Sequence, residues 1–226
     1  MLRAVIFDFD GVITDSEILH FRSFNKVLSQ YGIEITKEDY YKKYLGLTDL
    51  DVFSLLANQN QLASDSQSIE NLIKQKNHIF EQLAKTEGKI IEGVREFLQM
   101  LKQNNIPMAI CSGALLTEIE LILTDAGLRF FFETIVSAEQ VKKSKPNPEG
   151  FLLTLQRLNK KSQSPVSASQ CIVIEDSHWG LAAAKAAGMH TIAITNSYDA
   201  DQLAMAEKVV SYLGHLSFRD LQELCD

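Results

Sequence analysis

The chain has 226 residues, 46% hydrophobic and 23% charged, which excludes a disordered polymer and suffices for one large core or a core with a smaller companion. A formal charge of −7 and a pI near 5.3 exclude the basic surface that recruits nucleic acid, so an anionic ligand has to be held locally, by a metal ion or a few cations. No run stays apolar for the roughly 18 residues that a membrane-spanning helix needs.

In chain order, the first element is a strand over 3–8, rich in β-branched and aromatic residues. Asp8 and Asp10 interrupt this apolar start, so it is not expected to act as a secretory signal. From 15 to 86 the pattern is helical only, with helices expected over 17–31, 37–44, 48–59 and 66–86 and polar connections such as Ser64–Ser68. Beyond it, strands expected over 107–111, 134–137, 171–175 and 190–194 alternate with helices over 93–104, 115–127, 148–159 and 178–187. Gly127 and Gly188 stand where helices close with a left-handed residue. Strands alternating with helices imply right-handed crossovers and a doubly wound parallel α/β sheet, with the helical stretch spliced in after its first strand. A last helix is expected over 217–224. Cys111, Cys171 and Cys225 show no CxxC spacing, fit a reducing cytoplasm, and for the first two read as buried small hydrophobes.

Open parallel sheets bind ligands beyond the carboxyl ends of their strands. At those ends the expected strands deliver Asp8-Phe9-Asp10-Gly11, Ser112-Gly113, Lys143-Ser144-Lys145 and Glu175-Asp176-Ser177. A phosphate among several carboxylates is repelled unless a hard cation intervenes, and oxygen ligands without histidine or cysteine point to Mg2+. Asp8 and Asp176 are the expected side-chain ligands, with the Asp10 carbonyl a third, and Glu175 either joins the metal or orients its ligands. Asp8 is the expected nucleophile on phosphorus and Asp10 the general acid and base. Gly11 permits the tight backbone that returns Asp10 to the site. Ser112 and the Gly113 amide are expected to donate to phosphoryl oxygens at a helix start, although a serine there is also an ordinary N-cap. Lys145 is expected to offset charge between Asp8 and the phosphoryl group. His20, on the apolar side of the first inserted helix, reads either as a substrate contact or as a packed histidine. His178 and Trp179 read as packing residues, and Leu45-Gly46-Leu47-Thr48 either as a substrate-contacting hinge or as an ordinary turn.

FDFDGVITDSE, CSG, KSKPNPEGF and VIEDSHWGLAAAKAAGM resemble, in order and spacing, the four motifs of the haloacid dehalogenase-like hydrolases. The insert is similar to the helical cap of the β-phosphoglucomutase, phosphonatase and small-phosphatase branch. The resemblance implies a Rossmann-like core (1–14 and 87–226), an all-α cap (15–86) that shuts over substrate, and the nucleophile, acid–base and magnesium roles given above. It also implies a small phosphorylated metabolite, such as a sugar phosphate, as the partner, and a monomer. Dehalogenases of the family lack the equivalent of Asp10, and no cap lysine is singled out for a phosphonatase Schiff base. The mutases are resembled at Val12–Asp15, at His20-Phe21-Arg22 and at Lys76-Asn77, but Asp49 replaces their cap arginine. Ala114-Leu115-Leu116 replaces their serine–lysine–asparagine run. These departures favour a phosphatase over a mutase, and a catalytically idle fold is disfavoured by the intact Asp8, Asp10, Lys145 and Asp176.

Overall fold

A computed structural model of the chain describes residues 1–45, 47–59, 62, 65–161 and 164–225. It runs β1 (Ala4–Phe7), α1 (Glu17–Leu28), α2 (Lys37–Asp39), α3 (Asp49–Asn58), α4 (Ser66–Glu87), α5 (Val94–Gln103), β2 (Met108–Cys111), α6 (Leu116–Asp125), β3 (Thr134–Val136), α7 (Glu149–Lys161), β4 (Cys171–Glu175), α8 (His178–Ala186), β5 (His190–Ile194), β6 (Lys208–Val210) and α9 (Phe218–Leu224). The chain divides into two compact units, Met1–Asp15 with Lys89–Asp226, and Ser16–Gly88. No described helix is long and apolar enough to cross a membrane.

The first unit is a six-stranded parallel sheet in the order β3-β2-β1-β4-β5-β6. This is the doubly wound α/β arrangement expected from the alternation of elements. Every residue of β1, β2, β3 and β4 is buried, the condition under which a strand reads as a continuous apolar run. Alternate side chains of β1 serve two layers. Ala4 and Ile6 join Phe151 of α7 and Ala183 and Ala184 of α8. Phe7 meets Phe97 of α5 and Phe132 edge-on, at 6.1 and 5.9 Å between ring centres.

The second unit is helical, with a core that includes Phe24, Val27 and Leu28 of α1, Phe53 and Leu56 of α3, Leu72 of α4, and Tyr40 just after α2. Thr48 and Asp65 accept from backbone N–H groups in the first turns of α3 and α4 and so fix where those helices start.

Three expectations need correction. The helix expected over 37–44 is a short α-helix followed by a π-helical turn, Tyr40–Tyr44. The one expected over 17–31 ends as α-helix at Leu28 and closes through a 3-10 turn, Ser29–Tyr31, onto Gly32 at φ +69°. Strand β6 was not expected, because Lys-Val-Val is short and only half-buried at the sheet's edge, so it carries no apolar run. Gly46 of the expected hinge and Ser64 of the expected polar connection lie outside the described residues.

Candidate active site

β1 and β4 are neighbours at the point where the strand order reverses, the place at which open α/β sheets open a crevice. Phe7 pairs with Ile174, and the Asp8 N–H donates to the Ile174 carbonyl at 2.9 Å. That register sets Asp8, one residue past β1, beside Glu175, the last residue of β4, with Asp176 next. All three are buried, and one carboxylate oxygen from each lies within 4.8 Å of the others.

Lys145 joins them from the segment before α7. Its Nζ donates to Asp8 Oδ1 at 2.6 Å and Glu175 Oε1 at 2.5 Å. Glu175 Oε2 accepts from the Asp176 and Ser177 N–H groups at 3.0 and 2.9 Å and from Ser177 Oγ at 2.8 Å. Ser177 Oγ in turn accepts from the Gly180 N–H at 3.1 Å, so the residue that caps α8 also steadies Glu175. A glycine is required at 180, since a Cβ there would lie 1.7 Å from Glu175 Oε1. Gly11 is at φ +75°, and a Cβ on it would lie 1.8 Å from Asp176 Oδ2.

Burial and mutual repulsion dominate the electrostatics of the cluster. Burial raises the Asp8 carboxyl from 3.8 to about 7; Lys145 pulls it down, while Glu175 and Asp10 add to the rise. Burial, then the charges of Glu175 and Asp8, hold Asp176 well above the usual carboxylate range. Burial alone would depress the Lys145 ammonium, but Asp8 and Glu175 more than reverse this and hold it well above 10.5. One ammonium therefore faces three carboxylates, all hard oxygen donors, in a cluster without histidine or cysteine. That donor set fits a hard divalent ion such as magnesium.

Asp10 is half-buried and close enough to act on Asp8 electrostatically. Ser112 is buried beyond β2, where its Oγ accepts from the Ala114 N–H at 3.0 Å, and Gly113 is exposed with open space around it. These two precede rather than start α6, which corrects the expected helix-start geometry. The N–H groups of Leu115 and Leu116, at the start of α6, donate to the Glu118 and Glu139 carboxylates. His20 belongs to the helical unit. Its Nδ1 accepts from Lys76 Nζ at 2.8 Å and its ring stacks on Phe80 at 4.1 Å. Burial and the Lys76 charge hold it well below 6.5, so it is a neutral acceptor. Lys76, buried against the rings of Phe24 and Phe80, is paired with Asp49 at 2.9 Å. His178 packs against Trp179 and Tyr198.

Two residues were missed by the sequence reading. Ser197 Oγ donates to Asp176 Oδ2, and Asn196 Nδ2 donates to the Gly11 carbonyl at 2.7 Å. Both lie just past β5, at a carboxyl strand end, which is where the rule for open parallel sheets places ligand-side residues.

Residues 5–194 match the family described as haloacid dehalogenase-like hydrolase. A phosphorylated carbohydrates phosphatase of Thermotoga maritima is 32% identical over 192 residues, covering 84% of each chain. Hexitol phosphatase B of Escherichia coli is 29% identical over 224 residues, covering 97% of this chain and 96% of its own. Among solved structures, a β-phosphoglucomutase of Clostridium difficile superposes with a TM-score of 0.85 at 27% identity, covering 100% of this chain and 97% of its own.

Proposed function

The chain belongs to the haloacid dehalogenase-like hydrolases, and on that premise we propose that it is a magnesium-dependent phosphatase that hydrolyses a small sugar phosphate through an aspartyl-phosphate on Asp8. The observation that carries this reading is the convergence of Asp8, Glu175, Asp176 and Lys145 at the strand-order reversal. Asp8, Asp176 and the Asp10 carbonyl would hold the ion, and Glu175, both of whose oxygens are already engaged, would orient them. When bound, the ion supplies charge neutralisation that admits the phosphate to an acidic site.

The steps belong to the side chains. A carboxylate oxygen of Asp8 bonds to phosphorus while the bond from phosphorus to the substrate's ester oxygen breaks. Asp10 gives its proton to that leaving oxygen. Asp10 then takes a proton from water as the water oxygen attacks the same phosphorus, which frees Asp8 and inorganic phosphate. Lys145, bonded to Asp8 and Glu175, keeps the nucleophile's carboxylate in place and offsets the negative charge gathering there. Ser112 and the Gly113 amide are assigned to the phosphoryl oxygens.

A sugar phosphate is favoured because relatives that match over most of their length are named as phosphatases of phosphorylated carbohydrates and hexitols. A phosphosugar mutase is the second reading, favoured by the likeness to β-phosphoglucomutase. Against it, the helical unit commits its buried cation, Lys76, to its own Asp49 rather than leaving it for a second phosphate. Incubation with magnesium and a panel of sugar phosphates, including β-glucose 1-phosphate, tests both. Free phosphate that disappears in Asp8→Asn supports the phosphatase. Glucose 6-phosphate formed with little free phosphate would establish the mutase instead, and turnover surviving in Asp8→Asn would refute the covalent route.

A further inference from the structure

We propose that Ser197 and Asn196, on the loop leaving β5, are positioning residues that hold Asp176 and the Asp10–Gly11 turn in the arrangement a divalent cation requires. This rests on the metal reading above. Ser197 Oγ donates to Asp176 Oδ2 and Asn196 donates to the Gly11 carbonyl, so one loop grips both a member of the acidic cluster and the turn that follows Asp10.

The two contacts stop different motions. A carboxylate with one oxygen fixed by a hydroxyl can no longer rotate freely, so its second oxygen presents in one direction. The Asp176 N–H is itself tied to Glu175 Oε2 at 3.0 Å, which leaves neither the backbone nor the side chain of Asp176 free to turn. At Gly11 the N–H donates to the Thr14 carbonyl at 2.8 Å while its own carbonyl accepts from Asn196 at 2.7 Å. Both peptide planes flanking Gly11 are thereby fixed. The Asp10 carbonyl, on the same planar peptide as the Gly11 N–H, then faces away from Thr14.

The loop is a firm support. Thr195 N–H donates to the Val210 carbonyl at 3.0 Å, continuing the pairing of β5 with β6. Contact is also tight, because a Cβ on Gly11 would reach both Asp176 Oδ2 and, at 3.0 Å, Ser197 Oγ. Groups that orient metal ligands commonly change affinity by about 10–100-fold when removed.

The experiment reads magnesium binding directly, by isothermal titration calorimetry on metal-free full-length wild type, Ser197→Ala, Ser197→Thr and Asn196→Ala, with phosphate release as a function of magnesium in parallel. Ser197→Ala is expected to weaken magnesium binding by about 10-fold or more. Ser197→Thr, which keeps the hydroxyl, should restore binding, and saturating magnesium should recover the turnover lost in Ser197→Ala. A residue that only staples the loop would lower the unfolding temperature without either rescue. Wild-type affinity in Ser197→Ala overturns the Ser197 assignment, and wild-type affinity in Asn196→Ala overturns the Asn196 one. If Ser197→Ala does not fold, Ser197→Thr and Asn196→Ala still decide, since the first must bind as wild type does and the second more weakly. Wild type that takes up no magnesium at millimolar concentration would overturn the metal reading itself, a separable result.

Discussion

Gly180 is the third residue of α8 and packs directly against the Glu175 carboxylate. Helix propensity alone says that Gly180→Ala should stabilise the protein by up to about 1 kcal/mol. The packing says the opposite. An alanine Cβ would lie 1.7 Å from Glu175 Oε1 and 1.9 Å from Cδ, so the fully buried carboxylate must move. Moving it endangers three hydrogen bonds to Oε2 and the Lys145 bond to Oε1. At about 1.5–3 kcal/mol for a hydrogen bond to a charged group, losing two costs about 3–6 kcal/mol. The net is a destabilisation of about 2–5 kcal/mol, and at roughly 2–4 °C per kcal/mol the unfolding temperature falls by at least about 4 °C. Differential scanning calorimetry of the metal-free protein measures it, with Gly113→Ala as a control, where a Cβ meets nothing within 4 Å and the change should stay within about 0.5 kcal/mol. A Gly180→Ala protein as stable and as active as wild type would refute the claim that α8 closes on Glu175.

Asp8→Asn should abolish phosphate release while the circular dichroism spectrum is retained; a variant with measurable turnover would require another nucleophile. Asp49→Ala leaves the Lys76 ammonium, 1% exposed, among neutral His20 and two aromatic rings, and should destabilise the helical unit by about 3–5 kcal/mol in urea unfolding. A loss below about 1 kcal/mol would mean the pair is solvated and of little weight. In the metal-free protein Asp8 keeps a proton up to about pH 7 that the unfolded chain releases near 3.8. Its contribution to stability is therefore full below pH 3.8 and is lost as pH rises through about 7, so the metal-free unfolding temperature should fall between pH 5 and 8. Magnesium binding at pH 6 should release protons, seen as a dependence of the binding heat on buffer ionisation enthalpy. A metal-free unfolding temperature that rises over that interval would contradict the burial of Asp8.

How far the sequence could be read follows from which interactions are local. β1 and β4 are buried on both faces, so AVIF and CIVIE declare themselves as strands without reference to their neighbours, and their carboxyl ends carry the acids. β6 owes its existence to pairing with β5 and has no such signature. The π-helical turn at Tyr40–Tyr44 has side chains compatible with an ordinary helix, and its Tyr40 and Tyr44 are held by the helical unit's core. Asp49 and Lys76 are 27 residues apart, so the replacement of a cap arginine by Asp49 gives no sign in the sequence of the ammonium beside it. Ser197 and Asp176 are joined across 21 residues, and only the rule about strand ends points to that loop.

The acidic cluster stands at the ends of strands that are buried along their whole length. Like charges in a buried site destabilise the fold that carries them, and the single ammonium of Lys145 cannot balance three carboxylates. The arrangement persists because β1 and β4 are locked in register and because every oxygen of Glu175 is engaged. Glu175 is thus spoken for before any ligand arrives, whereas Asp8 shares Lys145 and Asp176 leans on one serine hydroxyl. On the phosphatase reading proposed above, the division follows the chemistry required of each. A nucleophile has to leave its partner and return, a metal ligand has to offer a free oxygen, and the group that holds both in place has to stay still. Removing charge from Glu175 should therefore disturb geometry, and removing it from Asp8 should disturb reactivity. A site built for reaction rather than for stability is expected to differ between its carboxylates in this way.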